Sequence, residues 1–305
     1  MSLTTARRRP PHCRRSWLFV PGADEQALLA APATQADVLM QELEDFTTPE
    51  NRPMARRLSP RVLAAWRDTG VLCAVRINPL HEADGIADLQ AIMPGQPDIV
   101  AMPKVDGADQ IISLARAIDA YELQLGIEAG STEILPNIES AKGLVNTIAI
   151  ATASPRVKAC LLASEDLATD LGAEREPDAL ELQYCRQRFL VECRAVGVEA
   201  IDYPYTWASG QAIFEREVEH ARRLGYRAKS AVHPDHAKAI NRLLTPSDDA
   251  VANARRVVGT FEEARQRGLD RVELDGSLVE VPTVTNAKRL IGRYEQLRQF
   301  DRDTH

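Results

Sequence analysis

The chain contains 305 residues, of which 45% are apolar and 27% are charged, and its formal net charge is −7. This composition is typical of a globular protein with a substantial core, and the acidic balance argues against a general nucleic-acid-binding protein. No apolar run is long enough to span a membrane, and the scattered cysteines contain no Cys-x-x-Cys pair. We therefore expect a cytoplasmic protein with reduced thiols, no membrane partner and no nucleic-acid partner.

Residues 1–14 form a basic leader that contains four arginines and no acidic residue. They lack the apolar segment of a secretory signal. The composition is compatible with an organelle-targeting segment, but it favours a disordered leader.

Short apolar runs alternate with helical patterns from residue 16 onward. Helices are predicted at 24–31, after Pro49, at 108–121 and at 178–196. Each apolar run is followed by polar residues, glycine or proline, as is typical of buried parallel strands. The predicted strands lie at 16–22, 37–43, 71–77, 98–103, 134–139, 159–163, 199–202 and 227–232.

Eight β-then-α units of this size predict a (β/α)8 TIM barrel over residues 15–245. An open, doubly wound sheet is the alternative. The first strand–helix turn, Pro21-Gly22-Ala23-Asp24, lacks the G-x-G-x-x-G pattern of a dinucleotide site. The barrel is therefore the favoured architecture.

The character of the sequence changes after Leu244. Pro246 and Ser247 predict the start of a helix that runs to Arg267. A hairpin with an Asp-Gly turn follows at 268–282, and a last helix is predicted at 286–300. Because this segment has too little core to fold alone, we expect residues 246–305 to form a helix–hairpin–helix lid or oligomerisation segment.

Two acidic side chains follow neighbouring predicted strands. Glu139 ends the fifth strand and Asp166 follows the sixth. Adjacent parallel strands deliver such residues to the same rim of a barrel, and paired carboxylates suit a hard cation such as Mg²⁺. The alternative is a helix-capping role, because both residues stand just before a helical pattern.

Seven short motifs stand at predicted strand ends, at 15–22, 42–45, 75–78, 102–105, 138–141, 165–172 and 229–234. In this order they resemble the motifs of the citrate lyase β-subunit-like family of the HpcH/HpaI aldolase/citrate lyase superfamily. The resemblance covers nearly the whole chain, from about residue 15 to residue 298.

The resemblance implies that Glu139 and Asp166 hold Mg²⁺ and that Glu139 lies in the substrate site. It also implies that Arg76 binds the carbonyl or carboxylate oxygens of the substrate, although Arg76 could instead form a structural ion pair. Lys104 is expected to balance charge or bind a carboxylate rather than form a Schiff base. Arg15 is expected to contact an anion or a thioester tail, with an ordinary surface charge as the alternative.

Three further acids complete the expected catalytic set. Glu44 and Asp45 could hold metal-bound waters or orient Arg76, or they could form a solvated acidic turn. Glu280 stands where many coenzyme-A-thioester lyases of this group carry an aspartate that reaches a neighbouring subunit as a general acid or base. Its extra methylene, and Ala163 where the family often has glycine, are departures from the pattern.

The resemblance predicts a Mg²⁺-dependent carbon–carbon lyase. Its substrate would be a hydroxy-carboxyl acyl thioester of coenzyme A or of an acyl carrier protein, cleaved to an acetyl-type thioester and a 2-oxo-acid. A thioester hydrolase, a 2-oxo-acid aldolase and a non-catalytic thioester-binding protein are the alternatives. The resemblance also implies a homo-oligomer, a trimer or a multiple of one.

Overall fold

The computed structural model describes residues 8–207 and 210–302, and the chain divides after Leu244 into two compact units. The first unit contains a closed barrel of eight parallel strands in chain order, because β8 pairs with β1. The predicted barrel is confirmed and the open sheet is excluded. The strands are β1 (Ser16–Pro21), β2 (Val38–Glu42), β3 (Leu72–Arg76), β4 (Ile99–Met102), β5 (Glu133–Ile138), β6 (Ala159–Leu162), β7 (Glu199–Asp202) and β8 (Ala228–Ala231).

Helices follow the strands. Helix α4 extends past its predicted end to Leu125, and Gly126 terminates it with a left-handed φ of 67°. None of the described helices combines the length and the apolar character that crossing a membrane requires. The helices of this unit are α1 (Glu25–Ala30), α2 (Arg52–Arg67), α3 (Ala83–Ile92), α4 (Ala108–Leu125), α5 (Ala141–Val145), α6 (Thr147–Ala151), α7 (Ser164–Leu171), α8 (Gln183–Ala195), α9 (Gln211–Leu224) and α10 (His236–Leu244).

Alternation along the strands separates the barrel interior from the layer under the helices. Val38 and Met40 of β2 belong to the interior cluster, whereas Leu39 belongs to the cluster between strands and helices. The same period places Glu42 and Arg76, the last residues of β2 and β3, on the interior side of the barrel. The charged side chains of the site therefore stand on top of an apolar interior.

The amino-terminal segment differs in part from the predicted disordered leader. Residues 1–7 lie outside the described residues. Arg14 is buried, and its guanidinium donates two hydrogen bonds to Glu133 at 2.5 and 2.9 Å. An ion pair thus fastens this stretch to the start of β5.

The second unit contains α11 (Asp248–Gln266), β9 (Val272–Leu274), β10 (Ser277–Val279) and α12 (Val281–Arg302). The Ser247 hydroxyl accepts a hydrogen bond from the Ala250 amide and caps α11, and the hairpin turns at Asp275-Gly276 with positive φ at both residues. Helix α12 begins five residues before its predicted start, because proline is tolerated in a first helical turn. The role of this unit as a lid stays a prediction.

Candidate active site

Arg76 lies at the carboxyl end of β3 and is only 6% exposed. Its Nε donates a hydrogen bond to Glu42 Oε1 at 2.8 Å. Its Nη2 lies 3.4 Å from both Glu44 Oε2 and Asp45 Oδ2. The ion pairs considered from the sequence are therefore present, but the shortest contact goes to a residue that the sequence analysis did not select.

That residue, Glu42, is fully buried. Its carboxylate also accepts hydrogen bonds from the backbone amides of Glu44 at 2.7 Å and Phe46 at 2.5 Å. It therefore fixes both the guanidinium of Arg76 and the turn that follows β2. The period of two along β2 was the available signal, because Glu42 shares the inward face of Val38 and Met40.

Two aromatic rings flank the guanidinium of Arg76. Its central carbon lies 5.1 Å from the ring centroid of Phe19 and 5.8 Å from that of Phe46. Burial alone would lower the pKa of Arg76, but Glu42, Glu44 and Glu139 raise it, so the group stays charged. Among the described residues its Nη1 has no hydrogen-bond partner and lies 3.9 Å from Glu139 Oε1.

Glu139 follows β5 and is 3% exposed. Its Oε2 accepts a hydrogen bond from the Lys104 amide at 3.1 Å, and Lys104 has a left-handed φ of 53° that is uncommon for a residue other than glycine. Its Oε1 is buried and has no hydrogen-bond partner in the described part of the chain. Burial, together with the charges of Glu44 and Asp166, raises the pKa of Glu139 to about 8 against the opposing charge of Arg76.

Neither proposed metal ligand is a helix-capping residue. Ser140 caps α5, because its Oγ accepts a hydrogen bond from the Gly143 amide at 2.9 Å. Ala163 occupies the capping position of α7, and half-buried Asp166 lies in the first turn of that helix. The positive end of the helix favours a carboxylate at this position without using its oxygens as a cap.

Lys104 and Glu44 form an ion pair beside Arg76. The Lys104 Nζ donates a hydrogen bond to Glu44 Oε1 at 2.5 Å, and half of the lysine side chain is exposed. Burial would lower the pKa of Lys104, but Glu44 and the neighbouring acids raise it. The amine is therefore protonated, which agrees with charge balance rather than Schiff-base chemistry.

The structure does not bring Arg15 to this rim. Arg15 precedes β1, so it lies at the opposite, amino end of the barrel, where it is 4% exposed. Its Nε and Nη2 donate to the two oxygens of Asp37 at 2.9 and 3.0 Å. This structural pair differs from both sequence-based expectations, a substrate contact and a surface charge.

Glu280 belongs to the second unit. It is exposed, it directly precedes α12, and its backbone amide lies 3.5 Å from Thr283 Oγ1. Its expected role as a proton shuttle stays a prediction.

We define the rim cluster as the seven charged side chains described above that lie at the carboxyl end of the barrel, five acidic and two basic. Burial and the neighbouring acids raise the pKa values of Glu44 and Glu139, as is expected in a cluster with an excess of negative charge. In the described part of the chain no group of three or more His, Cys, Asp or Glu side chains forms a ready metal site. A cation held by two carboxylates keeps further positions for water and substrate, as Mg²⁺ commonly does, so the residues fit that ion. The rim cluster contains Glu42, Glu44, Asp45, Arg76, Lys104, Glu139 and Asp166.

Comparison with known proteins decides the family. The sequence model of the HpcH/HpaI aldolase/citrate lyase proteins matches residues 15–234, which is most of the chain. The chain belongs to this family. The resemblance inferred from the sequence motifs is thereby confirmed, and the matched region contains every member of the rim cluster.

Several members of the HpcH/HpaI aldolase/citrate lyase family cover nearly the whole chain. The citrate lyase subunit beta of Escherichia coli strain K12 is 35% identical over 286 residues, 93% of this chain and 94% of the relative. A (3S)-malyl-CoA thioesterase of Cereibacter sphaeroides is 30% identical over 269 residues, 88% and 90% of the two chains. The crystal structure of CitE from Mycobacterium tuberculosis with magnesium, acetoacetate and coenzyme A is similar at a TM-score of 0.75, with 26% identity over 92% of this chain and 98% of that one.

Proposed function

We propose that this protein is a Mg²⁺-dependent carbon–carbon lyase. It cleaves a hydroxy-carboxyl acyl thioester of the citryl, malyl or citramalyl type to an acetyl-type thioester and a 2-oxo-acid. The observation that supports the proposal is Glu139 Oε1, which is buried without a hydrogen bond among the described residues and lies 3.9 Å from Arg76 Nη1 in a cluster with excess negative charge. The citrate lyase subunit beta relatives, at 32–35% identity, support the reaction class.

Glu139 and Asp166 would hold the ion. When it is bound, Mg²⁺ supplies positive charge that stabilises the oxygen on which charge develops as the carbon–carbon bond breaks. The magnesium and coenzyme A in the CitE complex support both the cofactor and the acyl-thioester substrate.

Arg76 binds a carboxylate of the substrate. Its Nη1 points into the site with no competing hydrogen bond from the described residues, whereas Glu42 holds Nε. Phe19 and Phe46 flank the guanidinium and limit its rotation. A donor fixed before the substrate arrives loses little entropy on binding.

Lys104 and Glu44 complete the electrostatics of the site. The Lys104 amine uses one of its three donors on Glu44, so the exposed part of the side chain retains donors for a second substrate carboxylate. Glu44 in turn keeps this amine near the rim.

Glu280 acts as the proton shuttle in the assembled homo-oligomer. In this proposal Glu280→Asp retains activity, since it keeps a carboxylate at this position, whereas Glu280→Gln loses it. Loss of activity in Glu280→Gln, with light scattering that shows an unchanged oligomer, supports the role. Full activity of the glutamine variant would remove Glu280 from the mechanism.

Calorimetry with MgCl₂ tests the metal assignment. Glu139→Gln and Asp166→Asn should each raise the Mg²⁺ Kd by at least about ten-fold, because each removes an anionic oxygen ligand. Glu165→Gln is the matched control, because its carboxylate lies beside Asp166 in sequence but bonds to Arg175 and Thr206. Unchanged Mg²⁺ affinity in both ligand variants would overturn the assignment.

A thioester hydrolase is the second candidate, and the 30% identity to the (3S)-malyl-CoA thioesterase favours it. The two reactions give different products from the same acyl thioester. The lyase releases a 2-oxo-acid and keeps the carrier acylated, whereas the hydrolase releases a free thiol and the intact hydroxy-acid. Detection of the thiol without a 2-oxo-acid would decide for the hydrolase.

A further inference from the structure

Asn137 is a polar residue in the apolar interior of the barrel. It is fully buried in β5, two residues before Glu139 and two after Leu135. Leu135 belongs to the interior cluster, as does Leu161, which stands opposite Asn137 on β6. Alternation therefore places the Asn137 amide inside the barrel, directly below Glu139.

Neither polar atom of this amide has a partner. Both Nδ2 and Oδ1 of Asn137 are buried without a hydrogen bond to any described residue. Leaving such groups unsatisfied is unfavourable, so a buried polar group normally binds protein or ordered water. Gln41 is a useful contrast, because its Nε2 donates to the carbonyls of Gly22 and Ala55, although its Oε1 also lacks a hydrogen bond among the described residues.

Glu139, the residue that follows β5, carries a second such atom, and its 3.9 Å contact with the inward-facing Arg76 places its carboxylate on the interior side of the barrel. Glu139 Oε1 is also buried without a hydrogen bond among the described residues. Residues two apart on a strand are separated by roughly 6.6 Å at Cα. A single water that bonds to two polar atoms spans about 5.6 Å between them, so one water fits between side chains at this spacing.

We propose that Asn137 holds a buried water that hydrogen-bonds to Glu139 Oε1 and so positions this carboxylate for the cation. The inference rests on the proposed function and adds to it a residue that acts through Glu139. The water donates to Oε1, and the Asn137 amide accepts from the water or donates to it and fixes its position. Asn137 is thus a positioning residue rather than a catalytic one.

Asn137→Leu tests the inference, because leucine has the branched shape of asparagine without its polar atoms and the neighbouring interior residues are leucines. Calorimetry with MgCl₂ should show a Kd raised roughly ten-fold or more, which is the usual cost of removing a group that orients a metal ligand. The thermal midpoint of the metal-free variant should stay equal or rise, because replacing a buried amide and its water by an apolar side chain is nearly neutral or stabilising. A lower midpoint with unchanged Mg²⁺ affinity would show an ordinary structural amide and overturn the inference.

Two further variants keep the test decisive. Asn137→Ser retains a hydroxyl and leaves room for water, so its Kd should lie closer to the wild-type value than that of Asn137→Leu. Gln41→Leu, the matched control, should lower the thermal midpoint and leave the Mg²⁺ affinity unchanged, because the hydrogen bonds of its amide among the described residues go to the carbonyls of Gly22 and Ala55. If serine impairs Mg²⁺ binding as much as leucine does, the water is not the link and the inference fails.

The outcome separates this inference from the proposed function. Lost Mg²⁺ affinity in Glu139→Gln with unchanged affinity in Asn137→Leu overturns the role of Asn137 alone. Unchanged affinity in both variants also removes Glu139 from the proposed metal ligands.

Discussion

Two buried glutamates of the barrel have opposite electrostatic environments. Glu122 of α4 is 1% exposed, and it accepts hydrogen bonds from Arg156 Nη1 at 2.9 Å and Nη2 at 2.5 Å, and from the amides of Gly130 and Thr132. Burial would raise the pKa of Glu122, but these donors lower it to about 2. Glu139 has one amide donor and an arginine 3.9 Å away, and burial raises its pKa to about 8.

The difference separates a completed ion pair from an incomplete site. Nearly every oxygen lone pair of Glu122 has a donor, so the carboxylate strengthens the fold. Glu139 lacks the hydrogen-bond donors that would stabilise its ionised form in a buried position. A carboxylate that the fold leaves partly unsatisfied is suited to an external cation.

The largest expected effect comes from neutralising each glutamate in metal-free buffer. Glu122→Gln removes the buried charge that pairs with Arg156 and should lower the free energy of unfolding by roughly 3–5 kcal/mol. Glu139→Gln removes an uncompensated carboxylate and should raise it by about 1–2 kcal/mol. Urea denaturation measures both, and Glu128→Gln on the exposed loop is the control. The contrast fails if both substitutions change stability in the same direction.

The second prediction compares two buried arginines. Arg76→Lys loses the fork that bonds to Glu42 and faces the substrate, so kcat/KM should fall about 100-fold, or roughly 2.7 kcal/mol. Arg156→Lys should reduce stability with kcat/KM unchanged, since the partners of Arg156 among the described residues are Asp119, Glu122 and the Thr132 carbonyl. Steady-state kinetics of folded variants check this, and an equal loss of kcat/KM in both would contradict it.

The third prediction concerns the pH dependence of stability without Mg²⁺. The pKa of Glu122 is depressed, so its contribution to stability is present above pH 4.5 and is lost as the pH falls toward 2. The pKa of Glu139 is raised, so its contribution to stability is present below pH 4.5 and is lost as the pH rises through 8. Urea titrations from pH 4.5 to 8 should show that the free energy of unfolding declines, and that it declines less in Glu139→Gln. An equal decline in this variant would contradict the prediction.

The smallest expected effect belongs to Asp45. Its side chain is 44% exposed and 3.4 Å from Arg76 Nη2, so it contributes as a surface charge. Asp45→Asn should change the free energy of unfolding by less than about 1 kcal/mol and kcat/KM by less than about five-fold. Kinetics alongside Arg76→Lys measure the difference. A larger loss of kcat/KM would give Asp45 a direct role at the substrate.

Some site residues could be placed from the sequence and others could not. Glu139, Asp166 and Arg76 follow strands, and the ends of parallel strands share one rim, so their proximity is predictable. Glu42 was missed although its position two residues after Met40 was a sufficient signal. Arg15 was expected in the site although a residue that precedes a strand lies at the opposite rim.

Local periodicity and short motifs predict the order of strands and helices, the family and the residues at the carboxyl ends of the strands. Which charges have partners can be read only from the folded barrel. The positions of side chains that are distant in sequence determine that Glu42 rather than Glu44 bonds to Arg76 Nε. They also determine that Glu139 has fewer hydrogen-bond donors than Glu122. Because water does not screen buried charges, these differences in position produce opposite pKa shifts.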